Sequence, residues 1–294
     1  MLNADSVDVV IPCYNGERFI GAAVDSVLNQ SHKNILIFLI DDGSTDNTPA
    51  ILREYGKRIR VLRHPNGRNR GAPTSMNLGL EESNSPFVAF LDADDTFYKK
   101  KIERQVEILS KREDVGLVYT NGHAIDESGR RIYPLFPDDF TEKEGSENLL
   151  LDNYIRTPSM VMVRRKLFKK TGYFDEKLSH SYDHDMWIKS KEVSSVFFLK
   201  EPLMGYRQHS GQRSEGREQW DDGFAVLRNA CHRYPYTNKI RRKRLAVLHY
   251  RLGAYELNNK RIIKGLNHFM YAFLLDPVRS FSVATQLIIQ ENSR

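Results

Sequence analysis

Two apolar runs in this chain stop on carboxylates. ILIFLI (residues 35–40) is followed by Asp41 and Asp42, and FVAFL (residues 87–91) by Asp92, Asp94 and Asp95. An apolar run with such an end reads as a buried strand of a parallel sheet. The carboxyl end of such a strand is where open α/β sheets hold their ligands. In an extended chain Asp92 and Asp94 face the same side, and two anionic groups held together call for a cation or a proton. A third strand signal, VDVVI (residues 7–11), runs into Pro12, Tyr14 and Asn15. Neighbouring parallel strands would bring Tyr14, Asn15, Asp42, Asp92 and Asp94 to one rim. That rim suits a nucleotide: carboxylates accept hydrogen bonds from base N–H and ribose hydroxyls, and an aromatic ring stacks on a base. A hard divalent cation bridging a carboxylate and a diphosphate would neutralise the charge. Arg68 and Arg70, in GRNRGAP, are available for phosphate or base. Taken singly, each feature has a plainer use as a turn, a helix cap or a solvated arginine.

The elements that must position these residues alternate. Helical spacing over residues 17–29 follows the first strand. The second strand is stopped by DDGSTD, where Ser44 is the expected helix N-cap and Asp46 a favourable first-turn residue. A short strand near 60–62, a helix entered around Pro73, the strand 87–91, a helix over 100–109 and a strand over 116–119 complete the first 120 residues. Alternation of this kind implies an α/β fold with a mostly parallel sheet and helices on both faces. Residues 122–153 are irregular. SMVMV, a helix from Lys166, a helix beginning near Asp183 and the strand SVFFL follow. After Ser214 the signals are helical, which places a boundary there.

The ordered segments VVIPCYNGERFIGAAVDSVLNQ, IDDGSTDNT, NRGAPTSMNLGL and FLDADD resemble the inverting family 2 glycosyltransferases of GT-A fold. TPSMVMVRRKLFKKTGYFDEKL, YDHDMWIK and YRQHSGQRS resemble that family's acceptor half. The resemblance covers about residues 7–214. It implies a GT-A domain over 1–214 (nucleotide-sugar half 1–120, acceptor half 121–214) and a basic helical extension over 215–294. It also implies transfer of a sugar from a nucleotide-sugar donor, expected to be a UDP-sugar, to an acceptor hydroxyl, with Mg2+ or Mn2+. The acceptor class would be a glycan or lipid-linked saccharide, as in cell-surface polysaccharide or glycolipid synthesis. Carried over, Pro12, Tyr14 and Asp42 line the base pocket with Asn15 and Arg70 nearby, Asp92 faces the ribose, and Asp94 holds the metal as the second acid of D-x-D. Asp183 takes the place of the catalytic base and His209 that of a metal or diphosphate ligand. Tyr182 stands where the family usually has Glu, and Gln212 where Ser is often found. FLDADDT also satisfies the local pattern of haloacid-dehalogenase-like phosphatases, with Asp92 as nucleophile and Asp94 as acid/base. Those enzymes carry it on the first strand of the core, whereas here three strands precede it.

The chain has 294 residues, 40% of them hydrophobic and 28% charged, which fits a globular protein with an ample core. The longest apolar run in its helical part, residues 269–275, is seven residues, too short to cross a bilayer. No secretory signal is read at the start, and Cys13 and Cys231 match no metal spacing, so a cytoplasmic location is expected. Net charge is +6, but residues 228–264 hold eleven Lys or Arg against one acid, Glu256, a local +10. Such a segment suits the cytoplasmic face of an anionic membrane. No motif for reading nucleic acid accompanies it. Leu252, Gly253, Phe269, Ala272 and Pro277 fall at tetratricopeptide offsets, while His249, Glu256 and Gly265 depart from them. One such unit cannot build a solenoid, so a helical hairpin on the main domain is expected.

Overall fold

The computed structural model describes residues 4–210 and 217–278. The Ser214 boundary and Gln212 therefore lie outside the described residues. The chain groups into two compact units, Met1–Glu144 with Tyr154–Gln212, and Gly145–Asn153 with Arg213–Arg294.

The first unit begins with β1 (Val7–Cys13), α1 (Ile20–Leu28), β2 (Ile35–Asp41), α2 (Thr48–Glu54), β3 (Arg60–Arg63), α3 (Ala72–Glu82) and β4 (Phe87–Phe90). There follow β5 (Thr96–Phe97), α4 (Lys101–Lys111), β6 (Val115–Ile125) and β7 (Arg131–Pro134). The second unit takes α5 (Ser146–Leu151), after which the first resumes with β8 (Val161–Arg164), α6 (Phe168–Thr171), α7 (Tyr182–Val193) and β9 (Ser195–Arg207).

Its strands form one sheet in the order β3-β2-β1-β4-β8-β6-β9-β5, with β7 beside β6. The first four are parallel, as crossover helices require. All seven residues of β1 and all four of β4 are buried, the pattern of strands covered on both faces. The buried Asp8 carboxylate accepts the N–H groups of Asn84 and Ser85 and the Ser85 hydroxyl, which pins the turn that feeds β4. β8 runs antiparallel between β4 and β6. It therefore starts at the rim where β4 ends: Ala89 pairs Met162, so the residues just before β8 lie beside those just after β4.

One capping expectation is corrected. Ser44 does not start α2; its hydroxyl accepts the Asn15 N–H at 3.0 Å. The helix begins four residues later at Thr48, whose N–H is accepted by Asp46 at 3.0 Å, and the same carboxylate accepts the Glu17 N–H. DDGSTD thus ties β1's exit loop to β2's, an arrangement only the pairing of the two strands creates.

The second unit adds α8 (Glu218–Arg233), α9 (Asn238–Asn258) and α10 (Ile262–Leu275). Here α9 and α10 form the expected hairpin. A Cβ placed on Gly253 would stand 3.1 Å from the Gly265 carbonyl oxygen, so the glycines let the two backbones meet. Tyr250 and Phe269 contact edge to face, and the rings of His249 and His268 stack. Helix α5 joins this unit through the Tyr236 hydroxyl on Ser146 and the Arg244 guanidinium on the Leu151 carbonyl.

Candidate active site

The carboxyl ends of β1, β2 and β4 lie side by side, and the residues that follow them differ in what they can still do. Pro12 is buried within β1, and Tyr14 beyond it is 43% exposed. Asn15 adopts φ +50°, and its side-chain oxygen accepts the Thr45 N–H at 2.8 Å. Asp42 is buried, and its two oxygens accept the N–H groups of Arg70 and Gly71 at 2.7 and 2.9 Å. It therefore holds the loop that carries Arg70, and a base would meet it through the lone pairs left over. The Arg70 side chain is exposed on that loop, as is Arg68. Asp41 is engaged elsewhere, by Arg63 at 2.9 Å and the Ser44 N–H.

After β4 the chain does not stay extended. The Asp95 N–H bonds back to the Asp92 carbonyl at 3.1 Å, and this turn sends the three acids to different partners. Asp92 accepts the Thr157 hydroxyl at 2.7 Å, and its own N–H donates to Ser159 at 2.9 Å. Asp95 is buried and takes the same Thr157 hydroxyl at 3.2 Å and the Arg207 N–H at 2.9 Å. Asp94 stays half-buried, and its Oδ2 lies 3.0 Å from His209 Nε2. Burial, then the Asp94 charge, pushes the Asp92 carboxyl up to about 7; burial and both neighbours raise Asp95 as well.

The sequence marked Asp95 as a strand-end acid without giving it a role, and gave none to Thr157, Ser159, Arg207 or Phe19. Thr157 and Ser159 arrive because β8 starts beside Asp92. Arg207 closes β9; its Nε donates to the Asp94 carbonyl at 2.7 Å and Nη1 to the carbonyls of Asp126 and Glu127. Phe19 lies 5.0 Å from the His209 ring and 4.8 Å from the Arg207 guanidinium. These contacts set the direction of the imidazole. The available signal was adjacency: Thr157 opens TPSMVMV and Arg207 lies in YRQHS.

Asp183 occupies the first turn of α7 and is 8% exposed. Four residues on, Trp187 is fully buried against Phe90, the last residue of β4, and Phe174. Positions i and i+4 share a helix face, so the Trp187 anchor points Asp183 toward the end of β4. Burial raises its carboxyl to about 7, the His184 N–H opposes the rise, and the Asp92 charge adds to it. Asp185 is different: Lys189 pairs with it at 2.7 Å. Tyr182 packs edge-on against Phe174.

Among the described residues, no three His, Cys, Asp or Glu side chains converge as a metal site. Asp94 and His209 make a two-donor set beside two carboxyls that burial, and next the Asp94 charge, shifts toward their neutral forms. A magnesium or manganese ion held by one carboxylate while substrate phosphates fill its other positions fits such a set.

Residues 8–172 match the model of glycosyl transferase family 2. The chain belongs to that family. An uncharacterized glycosyltransferase of Rickettsia typhi is 30% identical over 96% of this chain and 93% of its own length. Other rickettsial relatives are longer, and the chain covers 31% to 65% of them. Among solved structures, S. aureus TarS 1-349 in complex with UDP-GlcNAc superposes with a TM-score of 0.69 at 19% identity, covering 94% of this chain and 82% of that one. The mannosyltransferase PcManGT of Pyrobaculum calidifontis, in complex with GDP-Man and Mn2+, gives 0.59 at 14%, covering 97% and 79%. This family 2 glycosyltransferase thus has a GT-A fold, a mixed sheet covered by helices with a helical C-terminal region. Its FLDADD sequence ends the fourth strand, not the first, so the phosphatase reading of that string is set aside.

Proposed function

We propose that this glycosyltransferase uses a UDP-sugar and inverts the anomeric carbon as it moves the sugar to an acceptor hydroxyl. The observation that carries the reading is a buried Asp183 on α7, a helix anchored by Trp187 against Phe90, the last residue of the strand that ends in the acid cluster. A sugar hydroxyl is a poor nucleophile until its proton is removed, and a base with a pKa near the working pH removes it best. In the proposed reaction Asp183 accepts the acceptor hydroxyl's proton as that oxygen bonds to the anomeric carbon. The bond from that carbon to the diphosphate breaks on the opposite face, and the nucleoside diphosphate leaves with the electron pair. Tyr14, Asn15, Asp42 and Pro12 line the base pocket in this reading, Asp92 meets the ribose, and Arg70 reaches the nucleotide. Asp94 and His209 would hold Mg2+ or Mn2+. When bound, the ion offsets charge on the departing diphosphate. UDP-GlcNAc in TarS and Mn2+ in PcManGT support the donor class and the metal.

The reading extends to the chain's organisation. Residues 1–214, apart from the 145–153 segment that groups with the second unit, form the catalytic domain, and the basic segment 228–264 meets an anionic membrane from the cytoplasmic side. The acceptor is a glycan or lipid-linked saccharide of the cell surface. The test is nucleoside-diphosphate release across a panel of nucleotide sugars with Mn2+ or Mg2+, with and without a chelator. Activity should vanish on chelation, return with metal, and be beyond rescue in Asp94→Ala. Full turnover in chelator would refute the metal's part, and release from another nucleotide sugar but from no UDP-sugar would refute the donor.

A further inference from the structure

The outer side of α10 is apolar and uncovered among the described residues. Ile263 is 78% exposed, Leu274 64% and Ile262 61%, with Leu266, Met270 and Phe273 each more than half exposed. A patch of this kind on a folded chain marks a binding surface. Its charge says what binds. Helix α10 contains no acid, and Lys264 stands exposed near its start beside Lys260 and Arg261. At its other end Arg242 of α9 reaches the Leu275 carbonyl, with Arg241 and Lys239 exposed close by. The only carboxylate from Asn238 to Leu275 is Glu256, which is buried and bonded to Arg217 and Arg261. Half-buried Asp276, which caps α10, is the next acid, so the hairpin offers an anionic surface an excess of cations at both ends of an apolar strip. A second copy of the same face would set cation against cation.

We propose that α10 lies in the headgroup layer of an anionic membrane, with Ile263, Leu266, Met270, Phe273 and Leu274 inserted. The inference rests on the membrane contact assigned above to residues 228–264, and it moves the main attachment from charge to apolar insertion by α10, which only begins within that segment. Helices that lie on membranes combine such a face with flanking basic residues. Charge alone gives binding that salt removes, whereas insertion leaves a salt-resistant part.

Flotation of the full chain with phosphatidylcholine vesicles, with and without phosphatidylglycerol, tests this at low and high salt. Wild-type protein should float with the acidic vesicles and keep part of that binding in high salt. The double variant Leu266→Ser and Phe273→Ser should lose at least about tenfold in partition, with helix content and donor affinity unchanged. In Phe273→Trp, brominated lipid should quench the emission of the new indole. Binding that high salt abolishes and the double variant leaves intact would overturn insertion while leaving the electrostatic contact standing. Two other results would also overturn it. One is a wild-type dimer that the double variant dissociates, with no vesicle binding; the other is vesicle binding that appears only after removal of residues 279–294. A protein that floats as expected yet transfers no sugar would count against the enzymatic reading alone.

Discussion

Asp183 and Asp185 stand two positions apart on α7 and differ in what surrounds them. Lys189 neutralises Asp185, whereas among the described residues no cation pairs with Asp183, whose carboxyl burial holds at about 7. Asp183→Asn keeps the shape and removes the proton acceptor. Transfer should fall by roughly two to four orders of magnitude while donor affinity by calorimetry persists. Asp185→Asn should act through stability instead. In the wild type, donor turnover should drop about tenfold for each pH unit below about 7, since only the ionised carboxylate accepts a proton. Stability follows the same group. Between the ordinary aspartate pKa of 3.8 and about 7, folded Asp183 keeps a proton that the unfolded chain has lost, so its contribution declines as pH rises through that window. Asp183→Asn removes the dependence. Urea melts at pH 5 and 8 should show the variant gaining on wild type at the higher pH, by on the order of 1–3 kcal/mol.

At the scale of elements, the entry to β8 and the α9–α10 crossing each depend on one small group. The Thr157 hydroxyl serves both Asp92 and Asp95. Thr157→Val preserves volume and leaves two largely buried carboxyls short of a donor, at a cost of about 1–3 kcal/mol. Denaturant melts should record that loss, and donor affinity should weaken with it because the turn after β4 loses the hydroxyl that reaches both its acids. At the crossing, Gly253→Val puts branched carbon where Gly265 carbonyl oxygen stands 3.1 Å from a single Cβ. Separating the helices should cost about 1–3 kcal/mol, read as an earlier melt of the hairpin's helix signal. That outcome would leave nucleotide binding by the first unit unchanged.

For the whole molecule, the two compact units invite separate tests of stability. A nucleoside diphosphate with Mn2+ binds only the folded first unit in our reading, and ligand at a hundred times its Kd adds about 2.7 kcal/mol to what it binds. Hydrogen exchange should slow across β1, β2 and β4 and stay the same in α9 and α10. Slowing of equal size in both units would show that they open together. What the sequence determined by itself was local and ordered. Alternating apolar runs and helical spacings made the α/β fold legible, the acids after residues 40 and 91 marked the rim, and their order pointed to the family. Charge counting found the basic segment, though not the bare face of α10, since exposure depends on which helix covers which. Only the tertiary structure decided that Ser44 bonds Asn15 in place of capping α2, that β8 reverses and delivers Thr157 and Ser159 to Asp92, and that Asp42 holds the Arg70 loop. It also decided that burial, felt together with Asp92, brings Asp183 near neutrality. Each of these depends on residues tens of positions apart meeting in one low-dielectric place, and no spacing along the chain encodes that distance.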